Sequence, residues 1–128
     1  MAGAVIERIT RGTHEALIAR IPTDPYQGLW TFPNGPIDQG EAPEAALGRA
    51  LRCLLGMKVR IICSQPPFDR AWDDVLCRWR FFFCDGAGSE IHNQYFSEIR
   101  WVPRPCLREY DFDPASQQIV DWLLEDRG

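Results

Sequence analysis

The stretch from Leu29 to Val59, LWTFPNGPIDQGEAPEAALGRALRCLLGMKV, limits what this chain can fold into more than any other. Trp30, Thr31 and Phe32 are aromatic or β-branched and suit an extended segment. Pro33-Asn34-Gly35-Pro36 then imposes a turn, because proline pre-sets one backbone angle and Gly35 can take conformations closed to other residues. Pro43 suits a first helical position, and Glu44 lies where the helix dipole is positive. Ala45 to Leu55 are mostly good helix formers, and Gly56 is a natural stop. The expected local order is strand, tight loop, one helix, and entry to a new strand at Val59.

Within that helix, positions 50, 53 and 54 are spaced i, i+3, i+4 and share a face. With positions 46 and 57 they make an apolar stripe of Ala46, Ala50, Cys53, Leu54 and Met57. Leu47, Leu51 and Leu55 make a second stripe beside it. The apolar arc covers about half the circumference, where one packed face needs only ~100°.

These residues resemble the Nudix box, whose pattern is Gly, five residues, Glu, seven residues, then Arg-Glu-apolar-x-Glu-Glu-x-Gly-apolar. Gly35, Glu41, Arg49, Leu51, Gly56 and Met57 fall on it at the right spacing, and Trp30 and Pro33 match what usually precedes it. Phe96-Ser-Glu-Ile-Arg-Trp-Val-Pro resembles the family's sequence before its last helix, so the resemblance covers nearly the whole chain. It implies an α/β fold, a Nudix-like α/β/α sandwich with a mixed β-sheet flanked by helices. The three helical glutamates of the pattern fall on Ala50, Cys53 and Leu54. In the family those carboxylates hold the magnesium that activates water and binds the diphosphate, and the arginine helps to orient them. Magnesium takes hard oxygen ligands, whereas this face offers a methyl, a thiol and an isobutyl group. The resemblance therefore implies a degenerate box that retains Glu41 and Arg49, with no metal site.

The chain of 128 residues is long enough for a real core, and one domain over 1–128 is expected. No apolar run is long enough to span a membrane. The N-terminus lacks the charged-then-apolar order of a signal peptide, which points to the cytoplasm. A net charge of −4 weighs against nonspecific nucleic-acid binding, which needs a basic footprint. Thirteen of the 14 basic residues are arginine, a side chain suited to bidentate contact with carboxylates and phosphates. The five cysteines, Cys53, Cys63, Cys77, Cys84 and Cys106, show no short zinc-type spacing and are expected to be buried reduced thiols.

Taken in order, 4–10 and 15–21 read as strands joined by a hairpin-like turn, and 22–28 as a loop. After the box, 59–64 is a strand and 65–74 a loop. The run 75–84 is the most strand-like of all: Trp79, Phe81 and Phe83 point one way, Arg78, Arg80 and Phe82 the other. A short strand at 99–102, a helical turn over 103–110 and a final helix over 114–125, capped by Asp113, complete the chain.

Several residues carry two readings. Glu41 and Arg49 are either a residual metal or phosphate site or an ion pair bracing the loop, and bracing is the expectation. Arg78 and Arg80 share a sheet face and, with Arg60 on a neighbouring strand, either cradle an anion or pair with acids across strands. Trp72, with Phe68, either stacks a nucleobase or caps the core. His14 and His92 are loop residues without visible partners.

Two functions follow. The first is a catalytically silent Nudix-fold protein binding a nucleotide-like ligand or a macromolecular partner. The second is a divergent magnesium-dependent pyrophosphohydrolase acting on a nucleoside diphosphate linked to another moiety, using Glu41 with Asp73 or Asp74. No cofactor is expected in the first case and magnesium only in the second. A homodimer is compatible with the family.

Overall fold

The computed structural model describes residues 1–125. β1 (Ala2–Thr10) and β2 (Thr13–Arg20) form an antiparallel hairpin, turned at Arg11 and Gly12, both with positive φ. β3 (Trp30–Thr31) pairs with β2, and β4 (Asn34–Gly35) pairs with the start of β1. α1 (Pro43–Leu55) follows. Then come β5 (Arg60–Ser64), β6 (Phe68–Trp72), β7 (Val75–Asp85), β8 (Glu98–Pro103), a 3-10 helix (Arg104–Glu109) and α2 (Pro114–Glu125).

The eight strands make one mixed sheet in which β3-β2-β1-β7-β5 lie side by side. β1 runs parallel to β7 and antiparallel to β2. Helices cover both faces, so the central strands are apolar on both sides. On the α1 side Ala2, Ala4, Ile6, Phe82 and Cys84 pack under Leu47, Leu51 and Leu55. On the α2 side Val5, Ile18, Phe32, Trp79 and Phe81 pack under Ile119 and Val120. The fold is the expected α/β/α sandwich.

Three expectations need correction. Part of the 65–74 loop is a strand: β6 pairs with β7 from Phe68↔Trp79 to Trp72↔Val75. Asp73 and Asp74 close that hairpin with φ of 52° and 65°, a two-residue turn that aspartate tolerates better than most side chains. Alternation in 68–72 was obscured by the polar residues Asp69 and Arg70, which belong on an exposed edge strand. All five cysteines are free, but Cys84 alone is buried, while Cys53 and Cys63 are exposed. Burial pushes the Cys84 thiol up to about 12.

The third correction concerns the proposed arginine cradle. Arg60 pairs with Asp85, five residues beyond Arg80 on β7, or about 17 Å at the rise of a strand. Residues opposite one another share a face, so Arg60 lies on the Asp85 face of β7 and Arg78 and Arg80 on the other. Arg60 donates to Asp85 (3.2 Å) and Arg78 to Asp69 (3.0 Å), the cross-strand pairing that was the other reading. Arg80 lies with its guanidinium 5.8 Å from the Phe82 ring centroid, and its buried Nε has no partner.

Candidate functional site

α1 holds its position through backbone geometry more than through side-chain capping. Gly56 adopts φ 58°, and its N–H and that of Met57 donate to the carbonyls of Arg52 and Leu51 (3.0 and 3.2 Å). This closes the helix in the way a left-handed glycine allows. At the other end, Gly35 lies against the helix: a Cβ there would stand 2.7 Å from the Ala50 Cβ. That contact explains why a residue without a side chain follows Asn34.

The loop before α1 is tied to the helix by Arg49. Its guanidinium donates to both oxygens of Glu41 (2.8 and 3.2 Å) and to the Pro36 carbonyl (3.0 Å). Glu41 also accepts from the Asp38 N–H (3.0 Å). The Arg49 hydrogen bond, followed by that from Asp38, holds the Glu41 carboxyl below its ordinary range. Both of its oxygens are thus engaged in bracing residues 36–41 against α1.

The face that carries positions 50, 53 and 54 divides three ways. Ala50 is buried against Gly35, Cys53 is exposed, and Leu54 is half-buried. None of the three presents an oxygen. Among the described residues, no group of three or more His, Cys, Asp or Glu side chains is placed to hold a metal ion.

Leu54 faces a cavity of about 260 Å³. Its walls come from Asp24 and Pro25 in the loop after β2, Thr31 of β3, Asn34 of β4, Tyr95 and Phe96 before β8, and Trp72 at the end of β6. The wall before β8 is anchored on α1 itself, since His92 and Gln94 donate to the carbonyls of Leu55 and Leu54 (2.7 and 2.9 Å). The Asn93 side chain then folds the chain over, accepting from the N–H of Phe96 (2.9 Å) and donating to its carbonyl (2.7 Å). Tyr95 Oη shares a hydrogen bond with Thr23 Oγ1 (3.3 Å), which links two walls. Trp72 packs edge-to-face against Tyr26 at 4.7 Å, and the Tyr26 hydroxyl accepts from the Asp73 N–H (3.1 Å).

Beneath the cavity, Thr31 and Ser116 share a hydrogen bond (3.1 Å), and Asp113 caps α2 by accepting from the Ser116 N–H (3.2 Å). Burial raises the Asp113 carboxyl above its ordinary range, and its second oxygen has no partner. A larger hollow of about 420 Å³ lies between Pro66–Phe68 and α2. Its lining includes no residue of α1 or of the loop before it, so it is not the cavity that the box builds.

Of the residues singled out in the sequence, Leu54 and Trp72 meet at this cavity, and Glu41 with Arg49 form the brace beside it. Phe68 instead stacks on Phe81 at 5.9 Å as part of the core rim. His14 and His92 are exposed, and His92 lies 3.4 Å from Glu90. Asp24, Tyr95 and Phe96 were not anticipated. Nothing in local periodicity marks them: Tyr95 and Phe96 are placed by Asn93 and the end of α1, and the Asp24 loop meets them through Thr23 and Tyr95.

A family model described as NUDIX domain matches residues 2–123. The chain is 26% identical over 104 residues to the nucleoside triphosphatase NudI of Enterobacter sp. (strain 638), covering 72% of this chain and 74% of that protein. It is 27% identical over 132 residues to a protein of Mycobacterium tuberculosis (strain H37Rv) provisionally named 8-oxo-dGTP diphosphatase 2, covering 100% of this chain and 82% of the relative. Among solved structures, the Nudix hydrolase RenU of M. smegmatis superposes with a TM-score of 0.79 at 22% identity, covering 97% and 83% of the two chains. A C. elegans Ap4A hydrolase complex superposes with a TM-score of 0.77 at 16% identity, covering 97% and 91%.

Proposed function

The chain belongs to the NUDIX domain family, and from that premise we propose that it is a ligand-binding member that does not hydrolyse. Its ligand is nucleotide-like and enters the cavity beside Leu54 and Trp72. The observation that carries this reading is the composition of the α1 face. Where the resemblance puts the family's three glutamates, the side chains are Ala50, Cys53 and Leu54. Magnesium does not fit this donor set. It needs oxygen ligands in near-octahedral array, and the nearest retained carboxylate of the box, Glu41, has both oxygens bound by Arg49 and the Asp38 N–H. Loss of the ion removes the charge stabilisation that is usually the largest catalytic contribution.

The cavity supports binding in its own right. It combines an indole, a phenol and a phenyl ring with the neutral polar side chains of Thr23, Thr31 and Asn34, the mixture typical of small-molecule sites. Arg78 and Arg80 are not part of the cavity lining, so Trp72 is the ligand contact retained from the sequence reading.

One observation favours hydrolysis: curated relatives carry phosphatase names. Turnover would require Glu41 together with Asp73 or Asp74 to hold a loosely bound magnesium. Glu41 stands in the loop before α1 and the two aspartates in the β6–β7 turn.

The test is phosphate release by the purified chain, with magnesium, from nucleoside triphosphates, nucleotide sugars and dinucleoside polyphosphates. No release above the protein-free blank is expected. Steady turnover that disappears in Glu41→Gln would refute the silent reading and establish the divergent hydrolase.

A further inference from the structure

The charge of the cavity decides which part of a nucleotide-like ligand it can hold. Among the described residues, its lining contains no arginine, lysine or histidine, and its one carboxyl side chain is Asp24. Asp24 is exposed and makes no ion pair among the described residues. Asp73 and Asp74, directly after the lining residue Trp72, add exposed carboxylates at the same end of the β6–β7 hairpin. No described arginine lines the cavity, and several are engaged by acids elsewhere. Arg49 is held by Glu41, Arg78 by Asp69, and Arg20 and Arg100 by Glu98. Arg70, two residues before Trp72 on β6, is not among the lining residues.

A di- or triphosphate needs counter-charge, from metal or from arginine and lysine. This cavity offers neither. What it does offer is flat apolar surface from Trp72, Tyr95 and Phe96, neutral hydrogen-bonding groups from Asn34 and Thr23, and a carboxylate. Aromatic rings beside a carboxylate attract positive charge and flat π systems.

Resting on the ligand-binding reading above, we infer that the site selects an unphosphorylated nucleoside, with preference for a cationic base, and discriminates against its phosphates. Trp72 supplies a stacking surface for the base. Asp24 supplies the discrimination, drawing in a positive ring and repelling a phosphate. The cavity of about 260 Å³ is of the size of one nucleoside rather than a dinucleotide.

The experiment is a calorimetric titration of the full chain with adenosine, with 1-methyladenosine (whose base is cationic at neutral pH) and with ATP, in chelator and again with magnesium. The expected order is 1-methyladenosine tightest, adenosine next, and ATP at least about tenfold weaker than adenosine. Asp24→Asn is expected to narrow the gap between 1-methyladenosine and ATP. Trp72→Phe, which keeps a ring against Tyr26, is expected to weaken adenosine and 1-methyladenosine together. ATP bound more tightly than adenosine without turnover overturns the nucleoside selectivity and leaves the silent ligand-binding reading in place. ATP cleaved in the same cell overturns that reading itself. No heat from any of the three up to millimolar concentration overturns both.

Discussion

On the reading proposed above, the two halves of the box meet different fates on one helix. The bracing half is intact: Gly35 lets Ala50 approach, Arg49 clamps Glu41 and the Pro36 carbonyl, and Gly56 closes the helix. The other half, Ala50, Cys53 and Leu54, holds no oxygen donor. The difference teaches that the box performs two separable jobs. One positions a helix under a sheet and shapes a cavity beside it. The other charges that cavity with carboxylates. A chain that keeps the first keeps the fold, because loop and helix packing do not depend on what points into the cavity.

The comparison breaks most readily at Gly35. Gly35→Ala puts a Cβ 2.7 Å from the Ala50 Cβ, too close for any real contact, so α1 must shift. A loss of about 2 kcal/mol in denaturant unfolding is expected, as for overpacked cores. A smaller effect is expected from Glu41→Gln, which removes the charged partner of Arg49. The sign with pH follows from the lowered Glu41 carboxyl. Its ionised form is favoured in the folded chain, so its contribution is present above the ordinary glutamate range and is lost as pH falls through the lowered folded value. Acid unfolding should therefore show a shallower pH dependence in Glu41→Gln than in the wild type. The smallest effect belongs to the donor half. Cys53 is exposed, so Cys53→Glu should change stability by less than about 0.5 kcal/mol, read from the same titrations. Equal losses at Gly35 and Cys53 would mean that the two halves are not separable.

The scaffold was legible in the sequence because its devices are local. Gly56, Pro43 and the leucine stripes each act within a few residues, and α1 and α2 run as their signals suggest. The two-faced alternation of β7 likewise separates Trp79 and Phe81 from Phe82 and Cys84 into different cores. The cavity was legible only in part, at Leu54 on the box helix and at Trp72. Asp24, Tyr95 and Phe96 come from loops whose placement depends on long-range hydrogen bonds, such as Gln94 to Leu54 and Ser97 to Arg20. β6 went unseen because its inner face is interrupted: Phe68 and Trp72 pack on the core, but Arg70 stands between them. The misplacement of Arg60 had a different cause: strand neighbours were inferred without a register, and a register error moves a side chain to the wrong face.

The separation of the two halves is tested most directly by titrating magnesium into the purified wild-type chain and recording the heat. A flat trace through the millimolar range is expected, because the α1 face has no oxygen to offer and Glu41 is already held by Arg49. A saturable signal at millimolar affinity or tighter, abolished by Glu41→Gln, would show that a metal site survives without the helical carboxylates.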